Sequence, residues 1–201
     1  MGKQYDAIDD SIRDWIERQR LFFVGTAPLS ADGLLNLSPK GHDALRVIDG
    51  HTLAYLDYGG SGVETIAHVR ENGRIVIMMC AFDGPPKIFR FYGKGEVITP
   101  LDKDFDGLAG LFDIPGVGIR AIIRIHVSRI QDSCGYGVPN YEFLGNRESS
   151  QNRAASLGTD KLREYLVEKN LQSLDGLPAI SEDEARAFIG PCDRGSSRDG
   201  E

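Results

Sequence analysis

The stretch Thr52-Leu53-Ala54-Tyr55-Leu56-Asp57-Tyr58-Gly59-Gly60-Ser61-Gly62-Val63-Glu64-Thr65-Ile66 decides the fold. Its first half, Thr52 to Tyr58, is a compact, mostly apolar run. It follows Leu45 to Ile48 and the turn pair Asp49-Gly50, so the two runs read as a hairpin. Gly59-Gly60-Ser61-Gly62 interrupts the strand. From Val63 to Glu71 the residues Val63, Ile66, Ala67 and Arg70 recur at helical spacing. Asn72-Gly73 stops that helix, because glycine is the usual residue beyond a helix end. Arg74 to Phe82 is again apolar and β-branched, a second buried strand. One strand, a glycine turn, one short helix and a returning strand are thus written in about thirty consecutive residues.

Toward the N-terminus, Ile12, Trp15 and Ile16 sit at helical spacing behind Asp9 or Asp10 as cap. Leu21 to Ala27 reads as a buried strand, Ser30 to Gly33 as a turn, and Leu34 to Ser38 as its return. That return is expected to end at Pro39-Lys40-Gly41, where proline removes a ladder donor. Toward the C-terminus, Asp83 to Pro86 is a loop, and Ile88 to Thr99 is a long strand bent or bulged at Gly93 and Gly95. Pro100 to Phe112 reads as a helix with Leu101, Phe105, Leu108 and Leu111 on one side. Ile119 to Ile130 is a long strand, and Thr159 to Lys169 a last helix. Asn146 to Ser156 and the tail from Arg194 are polar and read as mobile.

Hairpin connections imply antiparallel pairing. No strand–helix–strand unit repeats, which argues against a doubly wound parallel sheet. The expected architecture is mainly β with peripheral helices: six or seven strands in a closed or partly closed antiparallel barrel, with three or four helices inserted singly.

The 201 residues carry 23 Lys and Arg against 30 Asp and Glu, a formal charge of −7. That balance argues against a nucleic-acid module, whose footprint is basic. No apolar run reaches the length of a membrane span, and the polar start, Met1 to Arg20, is no secretory signal. Cys80, Cys134 and Cys192 are odd in number and widely spaced, so a reducing cytoplasm is the simplest setting.

Chemistry concentrates in four places. In Gly59 to Thr65, glycines between strand and helix let backbone N–H groups converge on an anion. The helix N-terminus adds positive charge, with Ser61 and Thr65 as hydroxyl donors. The same residues, Ser61-Gly62-Val63-Glu64, also read as a capping box that needs no ligand. In Ser38-Pro39-Lys40-Gly41, the lysine after a strand would neutralise a phosphate or polarise a ring carbonyl, or is an ordinary turn lysine. Arg90 sits among Phe89, Phe91 and Tyr92, and needs a partner if buried. Ser133 to Pro139 reads as a tight turn around Cys134. His42, His51, His68 and His126 have no metal-ligand spacing, and no hydrolase triad can be assembled. No catalytic residue and no metal site emerge.

From Ile12 to Ile130 this order resembles the pyridoxamine 5′-phosphate oxidase-like flavoproteins. The resemblance is carried by Ser38-Pro39-Lys40-Gly41, the glycine turn after Tyr58, and Asn72-Gly73-Arg74-Ile75-Val76 after the helix. It implies a split β-barrel homodimer with FMN at each subunit interface. It divides the chain into an FMN-binding barrel domain, residues 1–143, and a C-terminal polar segment, helix and flexible tail, 144–201. Ser38, Pro39, Lys40 and Gly41 would run beside the flavin ring and ribityl chain. Tyr58, Gly59 and Gly60 would end the next strand, and Gly62, Val63, Glu64 and Thr65 would form the phosphate turn. The vitamin B6 oxidase has an Arg-Lys pair where this chain has Glu64-Thr65. Phosphate binding would then rest on backbone N–H groups, Ser61, Thr65 and Lys40, with Arg90 or Arg74. The oxidase's C-terminal Trp- and Arg-containing motif is absent, since Trp15 is the only tryptophan. The implied function is an FMN-dependent oxidoreductase for a small molecule, in an uncharacterised subgroup rather than the vitamin B6 oxidase. The alternatives are a deazaflavin- or haem-binding module on the same barrel, with His42 as the axial candidate, and a structural dimer without a ligand.

Overall fold

The computed structural model describes residues 2–112 and 118–190. Cys192 and the tail from Arg194 lie outside the described residues. Among the described residues there are eight strands: β1 (Gln4–Tyr5), β2 (Phe22–Thr26), β3 (Asn36–Lys40), β4 (Leu45–Asp49), β5 (Thr52–Tyr58), β6 (Arg74–Cys80), β7 (Ile88–Ile98) and β8 (Ile119–Ser133). They form one antiparallel sheet in the order β3-β2-β6-β7-β8-β5-β4, with β1 on the far end of β8. Among the described residues β3 and β4 do not pair, so the sheet is open, as in a split barrel. Among the described residues six helices accompany it: α1 (Asp10–Arg18), α2 (Glu64–Asn72), α3 (Phe105–Ala109), α4 (Ser149–Leu157), α5 (Thr159–Lys169) and α6 (Glu182–Arg186).

The long β8 is the spine. It pairs with β7 along one edge and with β5 along the other. Ile119 to Ile123 are all buried, and beyond them burial alternates in part. That change marks where the strand passes from cover on both faces to one wet face. The expected irregularity in β7 is a register shift between Tyr92 and Gly93. α1 begins at Asp9, whose carboxylate accepts the Ile12 N–H at 2.9 Å. Its buried face is Ile12 and Ile16, and Trp15 meets the Phe89 ring edge-on, 4.9 Å between centroids. α2 ends as expected at Gly73, in the left-handed conformation with φ 72°, where a side chain would be strained.

Four expectations are corrected. β3 does not stop before Pro39; it runs through Pro39 and Lys40, paired with Phe23 and Phe22. β3 is an edge strand, so the missing proline N–H costs no ladder bond. The helix expected over Pro100 to Phe112 shrinks to α3. Asp102 accepts from both the N–H and the hydroxyl of Thr99, at 2.7 and 2.8 Å, and this turn leaves Leu101 exposed. The polar segment 146–156 is largely helical, as α4. Its Ala154 is buried and Leu157 packs on the core. Finally, no capping box forms at Ser61-Glu64: Val63 is the N-cap of α2 and no side chain caps it. A capping box stands instead at Ser181-Glu184, opening α6.

A glycine turn held between barrel and C-terminal arm

The end of β5 carries a charge into the core. Asp57 is 1% exposed and Arg120, at the register shift where β5 pairs with β8, is 3% exposed. Arg120 Nε and Nη2 donate to Asp57 Oδ2 at 2.9 and 2.6 Å. Lys40 Nζ donates to Asp57 Oδ1 at 3.2 Å. Burial pushes the Asp57 pKa up, but Arg120 and then Lys40 pull it down further, and it stays below the ordinary carboxylate range. The remaining Arg120 nitrogen, Nη1, donates to the Gly62 carbonyl at 2.9 Å and to Asn170 Oδ1 at 2.7 Å. Arg120 is therefore spent on structure. Lys40, whose side chain is 21% exposed, has ammonium hydrogens left to offer a ligand.

Beside this pair lies a polar pocket of about 240 Å³. Ser38, Pro39, Lys40, Tyr58, Gly60, Gly62, Glu64 and Thr65, all anticipated from the sequence, line it together with Asn36, Asp57 and Arg120. Asn36 organises the hydroxyls. Its Nδ2 donates to Thr65 Oγ1 at 2.9 Å and to Thr26 Oγ1 at 3.0 Å, and its Oδ1 accepts from Ser38 Oγ at 3.0 Å. Behind it, His68 is fully buried with Nδ1 3.0 Å from Thr26 Oγ1. Burial holds the His68 pKa below its usual value against three nearby carboxylates, Asp175, Glu64 and Glu71.

Pro39, Lys40, Tyr58 and Gly60 also line a larger, mostly apolar cleft of about 660 Å³, joined there by Gly41 and His42. Phe82, Tyr141 and Phe143 supply aromatic wall, and Arg18, Arg20 and Arg147 stand at it. His42 and Asp43 both have left-handed backbones, φ 61° and 56°. Strain of this kind persists only where surrounding contacts hold it. Asp43 is held by Arg46, at 2.9 Å to its carboxylate and 2.8 Å to its carbonyl, and the His42 ring stands edge-on to Tyr58.

The other predicted residues divide. Val63 is buried, and its N–H donates to Glu64 Oε2 at 3.0 Å, so Glu64 folds back on the turn. Ser61 lines a separate cavity of about 260 Å³ on the arm side of the turn, with Tyr165 and Phe188. Arg90 lies on β7, outside both pockets, and donates to Ser133 Oγ at 3.0 Å. Arg74 is occupied by Asn72 and the Pro28 carbonyl. Asn36, Asp57, Arg120 and Asn170 escaped the sequence reading. The available signal was the isolated acid in Thr52–Tyr58, but Ile119–Ile130 carries three arginines, Arg120, Arg124 and Arg129, and nothing in the sequence tells which one pairs with it. Among the described residues no cluster of His, Cys, Asp and Glu could hold a metal ion.

This donor set suits FMN. The amide, hydroxyl and ammonium groups around the polar pocket fit a ribityl phosphate, and the adjoining aromatic-walled cleft fits a planar ring. Glu64 is the one anionic group in the pocket that lacks a basic side chain.

The chain is similar to several known proteins. The sequence model of the pyridoxamine 5′-phosphate oxidase family matches residues 8–134. The pyridoxamine 5′-phosphate oxidase family protein ustO of Aspergillus flavus is 36% identical over 192 residues, spanning 88% of this chain and 77% of that one. HupZ of Group A Streptococcus is 26% identical, covering 63% of this chain and 99% of its own, with TM-score 0.49. An FMN-binding protein of Syntrophomonas wolfei is 16% identical, covering 60% and 80%, with TM-score 0.45. By the family match and the Aspergillus relative, the chain belongs to the pyridoxamine 5′-phosphate oxidase family.

Proposed function

We propose that the protein is an FMN-binding flavoprotein, a cytoplasmic homodimer that works as an FMN-dependent oxidoreductase on a small molecule. The observation that carries this reading is the position of Lys40. Lys40 lines both the polar pocket under the glycine turn and the aromatic-walled cleft. Thr65 and backbone N–H groups of the turn would hold the phosphate end, with Ser38, whose hydroxyl hydrogen goes to Asn36, lying beside it. Pro39, Gly41 and Tyr58 would border the ring. Bound flavin supplies the hydride chemistry. Lys40 offers a positive charge to the pyrimidine edge or the phosphate. Asp57 keeps that ammonium in place, and the aromatic walls exclude water. No side chain is assigned as an essential acid or base, and pyridoxal phosphate synthesis is not part of the reading.

The test is a visible spectrum of purified protein after FMN is added and the excess removed. Retained bands characteristic of oxidised flavin support the reading, and a colourless protein refutes it. A haem Soret band would favour the other reading, for which His42, held in a strained backbone at the cleft, is the candidate ligand. Lys40→Ala should weaken FMN by about ten- to a hundredfold, the loss of one charge-assisted hydrogen bond of about 1.5–3 kcal/mol. Unchanged affinity in that variant would remove Lys40 from the site.

A further inference from the structure

The residues after the family match do more than trail behind the barrel. We infer that the arm from Thr159 to Gly190 is a working wall of the ligand site, acting through Asn170 as a positioning residue for the glycine turn. Asn170 follows α5 and is fully buried. Both ends of its amide are used. Oδ1 accepts from Arg120 Nη1 at 2.7 Å, and Nδ2 donates to the Gly60 carbonyl at 3.0 Å and the Ser61 carbonyl at 3.4 Å. Arg120 takes the next carbonyl, Gly62, at 2.9 Å. Three consecutive carbonyls of the turn are thus drawn toward one buried cluster.

Peptide geometry turns this into function. In a planar trans peptide the N–H of the next residue points opposite to the carbonyl, and no peptide here is cis. Holding the carbonyls of Gly60, Ser61 and Gly62 therefore turns the amides of Ser61, Gly62 and Val63 away from the cluster. Successive amides presented on one side of a turn can receive an anion. The structure shows an anion there already: the Glu64 carboxylate accepts the Val63 N–H at 3.0 Å. The arm touches this group too, through the Leu174 N–H, 3.4 Å from Glu64 Oε1.

Packing explains how the arm keeps its place. Ile189 and Ile119 exchange both backbone hydrogen bonds, at 2.9 and 3.2 Å. Arg70 on α2 pairs with Glu184 of α6. Phe188 lies so close to the barrel that a Cβ on Gly118 would sit 2.0 Å from its ring, and one on Gly59 2.9 Å. The first glycine of the turn is therefore a seat for the arm.

The consequence is linkage. An anionic ligand held by the turn amides, an FMN phosphate in the reading above on which this arm of the test rests, binds the arm-docked form better. Arm docking and ligand binding must then reinforce each other by the same factor. If Asn170→Ala leaves the turn in its binding form only a tenth of the time, the apparent Kd rises about tenfold. Asn170→Asp, which keeps an acceptor for Arg120 but loses the donor to Gly60 and Ser61, serves if the alanine variant fails to fold. The experiment is FMN titration of the full chain and both variants, with amide exchange followed in the ligand-free proteins. Expected are a Kd raised about tenfold, Val63 and Gly59 amides exchanging about tenfold faster, and β7 and β8 amides unchanged. Equal FMN affinity in wild type and variants overturns the inference. If the wild type binds no FMN, the flavin reading fails by itself. The exchange data then decide: faster turn exchange with an unchanged sheet upholds the positioning role, and an unchanged turn overturns it.

Discussion

Replacing Asp57 by asparagine tests whether the ion cluster below the glycine turn is as strongly coupled as its geometry indicates. Asp57 and Arg120 have side chains 1% and 4% exposed, so neither charge has water to fall back on. The carboxylate accepts three hydrogen bonds, two from Arg120 and one from Lys40. Asparagine keeps one acceptor oxygen and presents an NH2 to a cation, which leaves Arg120 buried and uncompensated. Breaking a buried pair in this way costs about 3–5 kcal/mol, against a total stability of about 5–15 kcal/mol for a domain. Urea unfolding at neutral pH, read by the single tryptophan Trp15, should show the unfolding free energy lowered by that amount, seen as a lower midpoint at an unchanged slope. The acid limb gives a second reading. The Asp57 pKa is lowered in the fold, so its contribution is complete above the unfolded value of about 3.9. It is lost as pH falls through the folded pKa, because the unfolded chain binds the proton first. Asp57→Asn should flatten that limb. A loss below about 1 kcal/mol, with the acid limb unchanged, would refute the account of Arg120 as a charge that depends on Asp57.

Ser61→Ala should change stability by no more than about 0.5 kcal/mol, the range of ordinary surface substitutions. Thermal or urea unfolding would expose a true cap by a loss near 1 kcal/mol. Gly118→Ala should cost about 1–3 kcal/mol through overpacking against Phe188, and protease sensitivity of the arm should rise with it. A silent Gly118→Ala would show that the ring can move aside at no cost.

The fold was legible wherever neighbours in sequence decide it. The runs Leu21 to Ala27 and Arg74 to Phe82, read as buried strands, and the long run Ile119 to Ile130 contain or begin the strands Phe22–Thr26, Arg74–Cys80 and Ile119–Ser133. The hairpin at Asp49-Gly50, the stop at Gly73 and the Asp9 cap follow from local turn and cap chemistry. The errors arose where an edge position in the sheet or a competing local side-chain bond overrules the general pattern. Pro39 continues a strand because β3 is an edge. Pro100 to Asp104 lost its helix to the Asp102 turn. Ser61-x-x-Glu64 matches a capping pattern, yet Glu64 bonds the Val63 N–H and Ser61 faces the arm. The pocket-lining residues from Ser38 to Thr65 were found because they sit in two short motifs. Their supports were not, because Asp57 and Arg120 are 63 positions apart and Asn170 lies 50 beyond Arg120. No period or spacing rule connects such partners; only the sheet register and the docking of α5 bring them together.

That separation bears on how the site is built. The glycine turn is flexible by composition, and glycine chains lose more entropy on ordering than any other. A turn of this kind keeps one conformation only if its carbonyls are tied down. Here the ties are Arg120 and Asn170, one from the barrel and one from the arm. Arg120 can serve only because Asp57 neutralises it, and Asp57 in turn fixes Lys40 on the ligand side. A single hydrogen-bonded chain thus runs from Lys40 through Asp57, Arg120 and Asn170 to the turn carbonyls. Coupling along such a chain is non-additive when the partners share a network. The loss on removing Asp57 and Asn170 together should therefore fall short of the sum of the single losses. Two independent anchors would instead give the full sum in a double-mutant cycle.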